Sequence, residues 1–209
     1  MIEMSNLFIF MGATILLCLA PGPDNIYVMT QGITRSKKAA FITTLGLSSG
    51  IILHTTAAAL GISVIFQTSQ LAFDLVKFAG AIYLVYLAFM AFKHRNEPLT
   101  FGKKESAKDL KSLYVKGFIM NILNPKVSIF FLAFLPQFVN PQNGNIPLQM
   151  VILGVVFMIC TIVIFTSIGV VSNKLGEKIV SNPSVGKYLN IITSGVLLSL
   201  GLKLAFSQR

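Results

Sequence analysis

Two charged side chains stand inside long apolar stretches of the sequence. Asp24 follows the Pro-Gly-Pro run at 21–23, and Lys126 follows Pro125. A charge at the centre of a bilayer costs about 2.5 to 3.5 kcal/mol, against a total stability of roughly 5 to 15 kcal/mol. We therefore expect each charge to pair with the other, with neighbouring dipoles or with a bound solute. A purely structural ion pair is the plainer alternative, whereas a solute with both an ammonium and a carboxylate suits two such groups.

The prolines beside these charges predict interrupted helices. Pro21, Pro23 and Pro125 each lack an amide hydrogen and free backbone carbonyls, and Gly22 loosens the first turn further. Freed backbone is tolerated at membrane depth only where protein buries it or where it lines a wet cavity. A simple packing kink is the alternative, but the neighbouring charges favour a binding cavity.

Three asparagines lie next to the two breaks. They are Asn25, Asn121 and Asn124, and we expect the last two, three residues apart, to share one helix face. Their amides could hold a polar ligand, or they could cap the interrupted helices. The sequence favours neither interpretation for any single asparagine.

His54 lies in the middle of another apolar stretch. Gly46 and Gly50 precede it at four-residue steps, which places two small residues and an imidazole on one helix stripe. A histidine here could relay protons, or it could only hydrogen-bond a neighbouring carbonyl. The glycines could serve internal helix packing or a homodimer.

The composition places these residues in a membrane. The chain has 209 residues, of which 54% are hydrophobic and 11% charged, whereas soluble domains have about 25% charged residues. A helix needs about 20 apolar residues to cross the hydrocarbon core, and six segments meet this length. They are residues 7–33, 41–66, 71–92, 113–139, 147–171 and 185–206. Segments one and four reach it only by continuing across their prolines, which puts Asp24 and Lys126 near mid-membrane.

The basic residues predict the orientation. The net charge of +10 is not spread over an aromatic-rich basic face, so nucleic acid is not an expected partner. Lys and Arg instead occupy alternate links, and basic links stay in the cytoplasm. The basic links hold Arg35, Lys37 and Lys38; Lys93, Arg95, Lys103, Lys104, Lys108 and Lys111; and Lys174 and Lys178. Both termini should face outward, and Lys203 and Arg209 should be the only basic residues on that side.

We therefore predict an all-α integral membrane protein with six transmembrane helices in a single domain, residues 1–209. Residues 1–96 and 113–209 form two three-helix repeats, joined by a cytoplasmic linker at 93–112. Three crossings per repeat invert the second relative to the first, as in many secondary transporters. Helices one and four are broken at matching points, the Pro-Gly-Pro and the Asn-Pro.

Several activities lack the residues that they need. No phosphate-binding loop, nucleophile elbow or HExxH motif occurs, so we expect neither an enzyme nor a nucleotide cofactor. Cys18, Cys160, His54 and His94 are too few and too scattered for a metal site. We expect the lipid bilayer and a small solute as partners.

Four stretches, in this order, resemble the LysE/RhtB family of bacterial amino-acid exporters. They are "APGPDNIYV", "GLSSGIILH", "KFAGAIYLVYLAF" and "NILNPKVSIFFLAFLPQFV". The resemblance implies a protein of the bacterial inner membrane that exports amino acids or close derivatives, driven by protons. It also implies motif positions in both halves: Pro21, Gly22, Pro23, Asp24 and Asn25, then Asn124, Pro125 and Lys126.

The charges of the site refine this expectation. One Asp with one Lys balances a zwitterion, so we lean to neutral amino acids, with the carboxylate near Lys126 and the ammonium near Asp24 and the carbonyls freed around residues 20–23. Proton uptake by Asp24 or His54 would weaken the hold on the substrate. A membrane sensor or scaffold without flux, and an exporter of a metal cation, are the rival interpretations.

Overall fold

The computed structural model describes residues 2–62, 70–97, 109–181 and 183–206. This part of the chain contains eight α-helices and no β-strand. The helices are α1 (Met4–Leu19), α2 (Pro23–Thr34), α3 (Lys37–Ala57), α4 (Gln70–Lys93), α5 (Leu110–Ile122), α6 (Pro125–Ile129), α7 (Ile146–Ser181) and α8 (Pro183–Phe206). A π-helical turn, Ala58–Ile62, extends α3; a second, Phe130–Phe134, and a 3₁₀ turn, Leu135–Phe138, extend α6; and another 3₁₀ turn, Pro141–Asn143, precedes α7.

Four of these helices are long and apolar enough to cross a membrane. They are α3 with its π turn, α4, α7 and α8. The other candidate spans are two bent pairs: α1 with α2 at 59°, and α5 with α6 and its extension at 48°. Counting each pair as one span gives up to six crossings. The predicted all-helical class is confirmed, and the breaks fall at the predicted prolines.

Segment boundaries differ in detail from the prediction. The fifth segment, expected at 147–171, continues as helix to Ser181. The linker, predicted at 93–112, is shorter, because α4 ends at Lys93 and α5 begins at Leu110. Residues 63–66 of the second segment, Lys103, Lys104 and Lys108 of the linker, and Arg209 lie outside the described residues.

Proline and its neighbours define both breaks. Pro23 and Pro125 stand at the first helical position of α2 and α6, where a missing amide hydrogen costs nothing. The preceding N-cap residues, Gly22 and Asn124, have extended backbones. A Cβ on Gly22 would lie 3.1 Å from Lys126 Nζ, so the glycine leaves room for the lysine of the other half.

Small residues let the helices approach closely. Gly46 of α3 faces the backbone of Tyr114 on α5, and a Cβ on Gly117 of α5 would lie 2.7 Å from the Thr43 carbonyl oxygen. Gly32 of α2 likewise faces the Gly169 carbonyl of α7, where a Cβ would lie 2.5 Å from its oxygen. These contacts hold α2, α3, α5 and α7 around the two breaks.

A cluster of phenylalanines packs the middle of α1 against the chain after α6 and against α7. Its neighbouring rings have centroids 5.0 to 6.2 Å apart. The members are Phe10, Phe130, Phe131, Phe134, Phe138 and Phe157, all almost fully buried. This aromatic cluster closes the space between the breaks and the end of the molecule that carries Met4.

Candidate functional site

Lys126 is buried against the end of α1. Lys126 lies in the first turn of α6 and is 9% exposed. Its Nζ donates to the carbonyl oxygens of Leu17 at 3.2 Å and Ala20 at 3.0 Å. These carbonyls stand at the C-terminal end of α1, where the helix dipole is negative. Of the three expected partners for this charge, the structure thus shows neighbouring dipoles.

Asp24 is buried at the start of α2 and is 3% exposed. Its Oδ2 accepts a hydrogen bond of 3.0 Å from Asn121 Nδ2. Its Oδ1 is buried and makes no hydrogen bond of standard geometry, although the side chain of Asn124 also lies close enough to interact with this carboxylate. No ion pair shorter than 4.0 Å joins Asp24 to Lys126 in the described part of the chain. The direct pair considered from the sequence is therefore not present in this conformation.

Asn25 and Asn124 act as helix caps. Asn25 Nδ2 donates to Cys18 O at 2.7 Å and to Leu19 O and Ala20 O at 3.3 Å. Asn124 Oδ1 accepts from the Lys126 amide at 3.0 Å. The carbonyls freed at the end of α1 are thus bound by Asn25 and Lys126, rather than left open for a substrate ammonium.

Asn121 has a different role from Asn124. Asn121 and Asn124 do not lie on one continuous helix, because α5 ends at Ile122 and Asn124 caps the next helix, but the side chains of both interact with the Asp24 carboxylate. Asn121 instead connects two other residues: its side chain donates to Asp24, and its carbonyl accepts from His54 Nε2 at 3.0 Å. Since a carbonyl can only accept, His54 carries a hydrogen on Nε2.

Gly50 allows Asn121 to reach this position. A Cβ on Gly50 would lie 2.6 Å from Asn121 Oδ1 and 2.9 Å from its Cβ. Together with Gly46, which faces Tyr114, the predicted small-residue stripe of α3 packs against α5 of the same chain. This stripe is therefore used for internal packing.

A small cavity lies between the charged groups. Its volume is about 10 Å³, which is room for about one water molecule. The lining residues are Leu17, Cys18, Asp24, Asn121, Lys126, Val127, Phe157, Thr161 and Phe165. An amino acid does not fit unless the surrounding helices separate.

The sequence prediction missed the residues that α7 contributes. Thr161 Oγ1 lies 3.5 Å from Cys18 Sγ, and both line the cavity. Phe165 also lines it, at the next turn of α7. Thr161 is a polar residue within an apolar run, a signal that could have pointed to it, whereas nothing local distinguishes Phe165 from the other aromatic residues of the chain.

The fold and the site define a helical membrane protein with a buried polar centre at two helix breaks. The sequence matches the model of the LysE type translocator family over residues 15–208, so the chain belongs to that family.

Similar proteins include membrane efflux proteins. The homoserine/homoserine lactone efflux protein of Salmonella typhimurium is 28% identical over 201 residues, which cover 96% of each chain. A leucine efflux protein of an Enterobacter species is 24% identical over 170 residues, covering 77% of this chain and 79% of the relative. An uncharacterised membrane protein of Bacillus subtilis, YrhP, is 28% identical and covers 98% of this chain and 100% of its own length. No solved structure matches the chain significantly.

Proposed function

We propose that this chain exports neutral amino acids or close derivatives from the cytoplasm, in exchange for protons, through a midplane site at the two helix breaks. One observation carries the proposal: opposite charges, Asp24 and Lys126, line one buried cavity and belong to different halves of a chain of the LysE family. A zwitterion presents the complementary pair of charges. Relatives named for homoserine and leucine efflux support the substrate class.

The proposal includes six spans arranged as two inverted repeats in the bacterial inner membrane. Each bent pair then counts as one span, at the same place in each half. The alternation of basic and non-basic links supports cytoplasmic positions for the basic ones, with both termini outside.

The hydrogen bonds suggest how a substrate is held. Its carboxylate would draw Lys126 Nζ away from the carbonyls of Leu17 and Ala20. Its ammonium would bond to Asp24 Oδ1, which is buried and makes no hydrogen bond of standard geometry. An unsatisfied buried acceptor is costly, so this second bond would favour binding.

The same bonds join the two halves of the chain. Lys126 of the second half holds the end of α1, and Asn121 of the second half holds Asp24. A substrate that takes over the Lys126 contact removes one of these links and so frees the halves to move. Protonation of Asp24 from outside would then weaken the hold on the ammonium and release the amino acid outward.

The two rival functions predict different results. A sensor or scaffold would bind a ligand at the breaks without flux. An exporter of a metal cation needs a set of metal ligands, and no group of three His, Cys, Asp or Glu side chains suited to a metal occurs among the described residues. Lys126 would also repel a cation in this cavity.

Efflux measured with a lysine variant tests the proposed function. We expect proteoliposomes that contain the wild-type chain to release labelled neutral amino acids, and Lys126→Ala to release none above background. The matched control is Lys77→Ala, because Lys77 is also 9% exposed but lies on α4, which contains neither break, with its Nζ 3.2 Å from Asp74 Oδ1.

The control variant tests whether loss of any buried lysine abolishes efflux. Lys77→Ala should retain most of the efflux, which shows that loss of a buried lysine does not by itself abolish transport. Equal efflux from Lys126→Ala and the wild type would refute a site at the breaks. Binding without efflux in the wild type would favour the sensor.

A further inference from the structure

A second and larger cavity lies beside the first break. It has a volume of about 380 Å³ and is formed by the end of α1 with α2, α7 and the start of α8. Sites for small molecules commonly measure about 300 to 1,000 Å³. Leu19, Pro21 and Asn25 line it, so it ends at the break where the smaller cavity begins.

The lining of this cavity is apolar and uncharged. Ile164, Ile168 and Val185 are typical of its walls, and none of its described lining residues carries a charge. The polar members are Ser167, Ser172 and Asn25. A charged side chain placed here would lose its hydration without meeting a counter-ion, whereas an aliphatic side chain has no such cost.

Asn25 separates the two cavities. The side-chain amide of Asn25 donates a hydrogen bond to the carbonyl of Cys18, and Cys18 lines the smaller cavity on the other side. Asn25 is 3% exposed, and its Oδ1 is buried without a hydrogen bond of standard geometry. Asn25 thus places a side-chain amide at the boundary between the apolar cavity and the charged one.

The larger cavity lies toward the predicted cytoplasmic side. From Asn25, α2 runs on to the basic link at Arg35, and α7 runs on from Ser172 to Lys174. The aromatic cluster lies on the other side of the breaks, because Phe10 is on the Met4 side of the first break and the turns from Phe130 to Phe138 follow the second. The molecule thus has an open groove on one side of its buried charges, with Leu19, Val163 and Val171 exposed along it, and dense packing on the other side.

We propose that this larger cavity is the cytoplasmic vestibule of the exporter, and that it admits amino acids whose side chains are neutral and apolar. This inference rests on the proposed function. The side chain of the substrate occupies the vestibule beside Ile164 and Ile168, while its ammonium and carboxylate reach past Asn25 toward Asp24 and Lys126. Lysine and arginine are excluded because the vestibule offers their charged ends no partner.

Narrowing the vestibule tests its role in selection. We expect Ser167→Phe to lower leucine transport relative to alanine transport in proteoliposomes by about 10-fold, since misfit of a side chain in a pocket changes rates by about 10- to 200-fold. The matched control is Ser199→Phe. Ser199 on α8 is exposed and makes the same bond to the carbonyl four residues back, 2.8 Å as in Ser167, but it does not line the cavity.

A second measurement does not depend on transport. A charged, membrane-impermeant thiol reagent added from the cytoplasmic side should label Ser167→Cys faster than it labels the wild type, whose own cysteines are Cys18 and Cys160. The Ser199→Cys variant should not exceed the wild type. Labelling should slow in the presence of leucine and remain unchanged with lysine.

The outcomes separate the two proposals. If the wild type moves alanine and leucine but Ser167→Phe leaves their ratio unchanged, export stands and the selective vestibule is refuted. If Ser167→Cys is no more reactive than Ser199→Cys, the cavity is a lipid-filled groove and the inference is likewise refuted. If the wild type moves neither amino acid, the proposed export fails, and leucine selection by this cavity fails with it.

Discussion

Asn121 makes the contacts that join the candidate proton-carrying groups. Its carbonyl holds His54 at 3.0 Å, and its side chain holds Asp24 at 3.0 Å. His54 donates this hydrogen bond from its Nε2 to the Asn121 carbonyl, and the bond positions the backbone at the end of α5. Asp24 differs because it lines the smaller cavity and its Oδ1 makes no hydrogen bond of standard geometry. We therefore propose that Asp24, rather than His54, takes up the proton.

Replacing this carboxylate should separate proton coupling from substrate movement. We expect Asp24→Asn to lose efflux driven by an imposed pH gradient, because an amide does not take up a proton in this range. It should retain exchange of internal for external amino acid, since the Asn oxygen can still accept from Asn121. Both processes are measured in the same proteoliposomes, and a normal response of Asp24→Asn to the gradient would contradict the assignment.

His54 provides the control for this assignment. His54→Ala removes a hydrogen bond to the Asn121 carbonyl, worth about 0.5 to 1.5 kcal/mol, and should slow transport while the response to the pH gradient persists. If His54→Ala abolishes the response instead, His54 is the proton carrier.

At the scale of the elements, the two breaks were predictable and their partners were not. Prolines next to a charge in an apolar run indicate where α2 and α6 begin. That Lys126 caps α1 could not be read from the sequence, because it depends on how closely the two halves approach. Gly22 sets this approach, since any Cβ there would lie 3.1 Å from the lysine nitrogen.

The cavity-lining residues of α7 could not be predicted from the sequence for a related reason. Thr161 and Phe165 lie within a continuous apolar helix, and any face of such a helix can turn toward the site. Gly169, against Ala40, and Gly176, against Ile33, fix its rotation by close packing. The sequence contains these glycines but does not say which helix each one meets.

Close glycine contacts between α3 and α5 should determine stability. We expect Gly117→Ala to destabilise the protein by about 1 to 3 kcal/mol, because its Cβ would lie 2.7 Å from the Thr43 carbonyl oxygen. Thermal unfolding in detergent measures the change. The matched control is Gly12→Ala on α1, where nothing lies within 4 Å of the added Cβ and stability should hold or rise. Equal effects of the two substitutions would contradict the role assigned to this contact.

At the scale of the whole molecule, the site is closed asymmetrically. Toward Met4 it is covered by the aromatic cluster, whose rings are buried and packed against one another. Toward the basic links it is separated from the larger cavity by Asn25 and the end of α1. In the orientation proposed above, outward release would require a larger rearrangement than loading from the cytoplasm.

The crossing number of the bent pairs decides the architecture. If α5 with α6 and its extension crosses as one span, three crossings separate the linker from the C-terminus; if the pair is a re-entrant loop, only two do. An odd number puts the linker and the C-terminus on opposite sides of the membrane, and an even number puts them on the same side. The inverted repeat requires the odd number.

Reporters in the full-length chain measure this parity. We expect a fluorescent protein that matures only in the cytoplasm to be bright when inserted after Glu97 and dark when fused to the C-terminus. Alkaline phosphatase, which is active only outside, should give the opposite pattern. The physical reason is that the linker carries Lys93, Arg95 and Lys111, which hold it inside. Cytoplasmic signals at both positions would make the second bent pair re-entrant and end the inverted-repeat proposal. An exchanged pattern would keep the repeat but reverse the predicted orientation, which would place the larger cavity on the outer side.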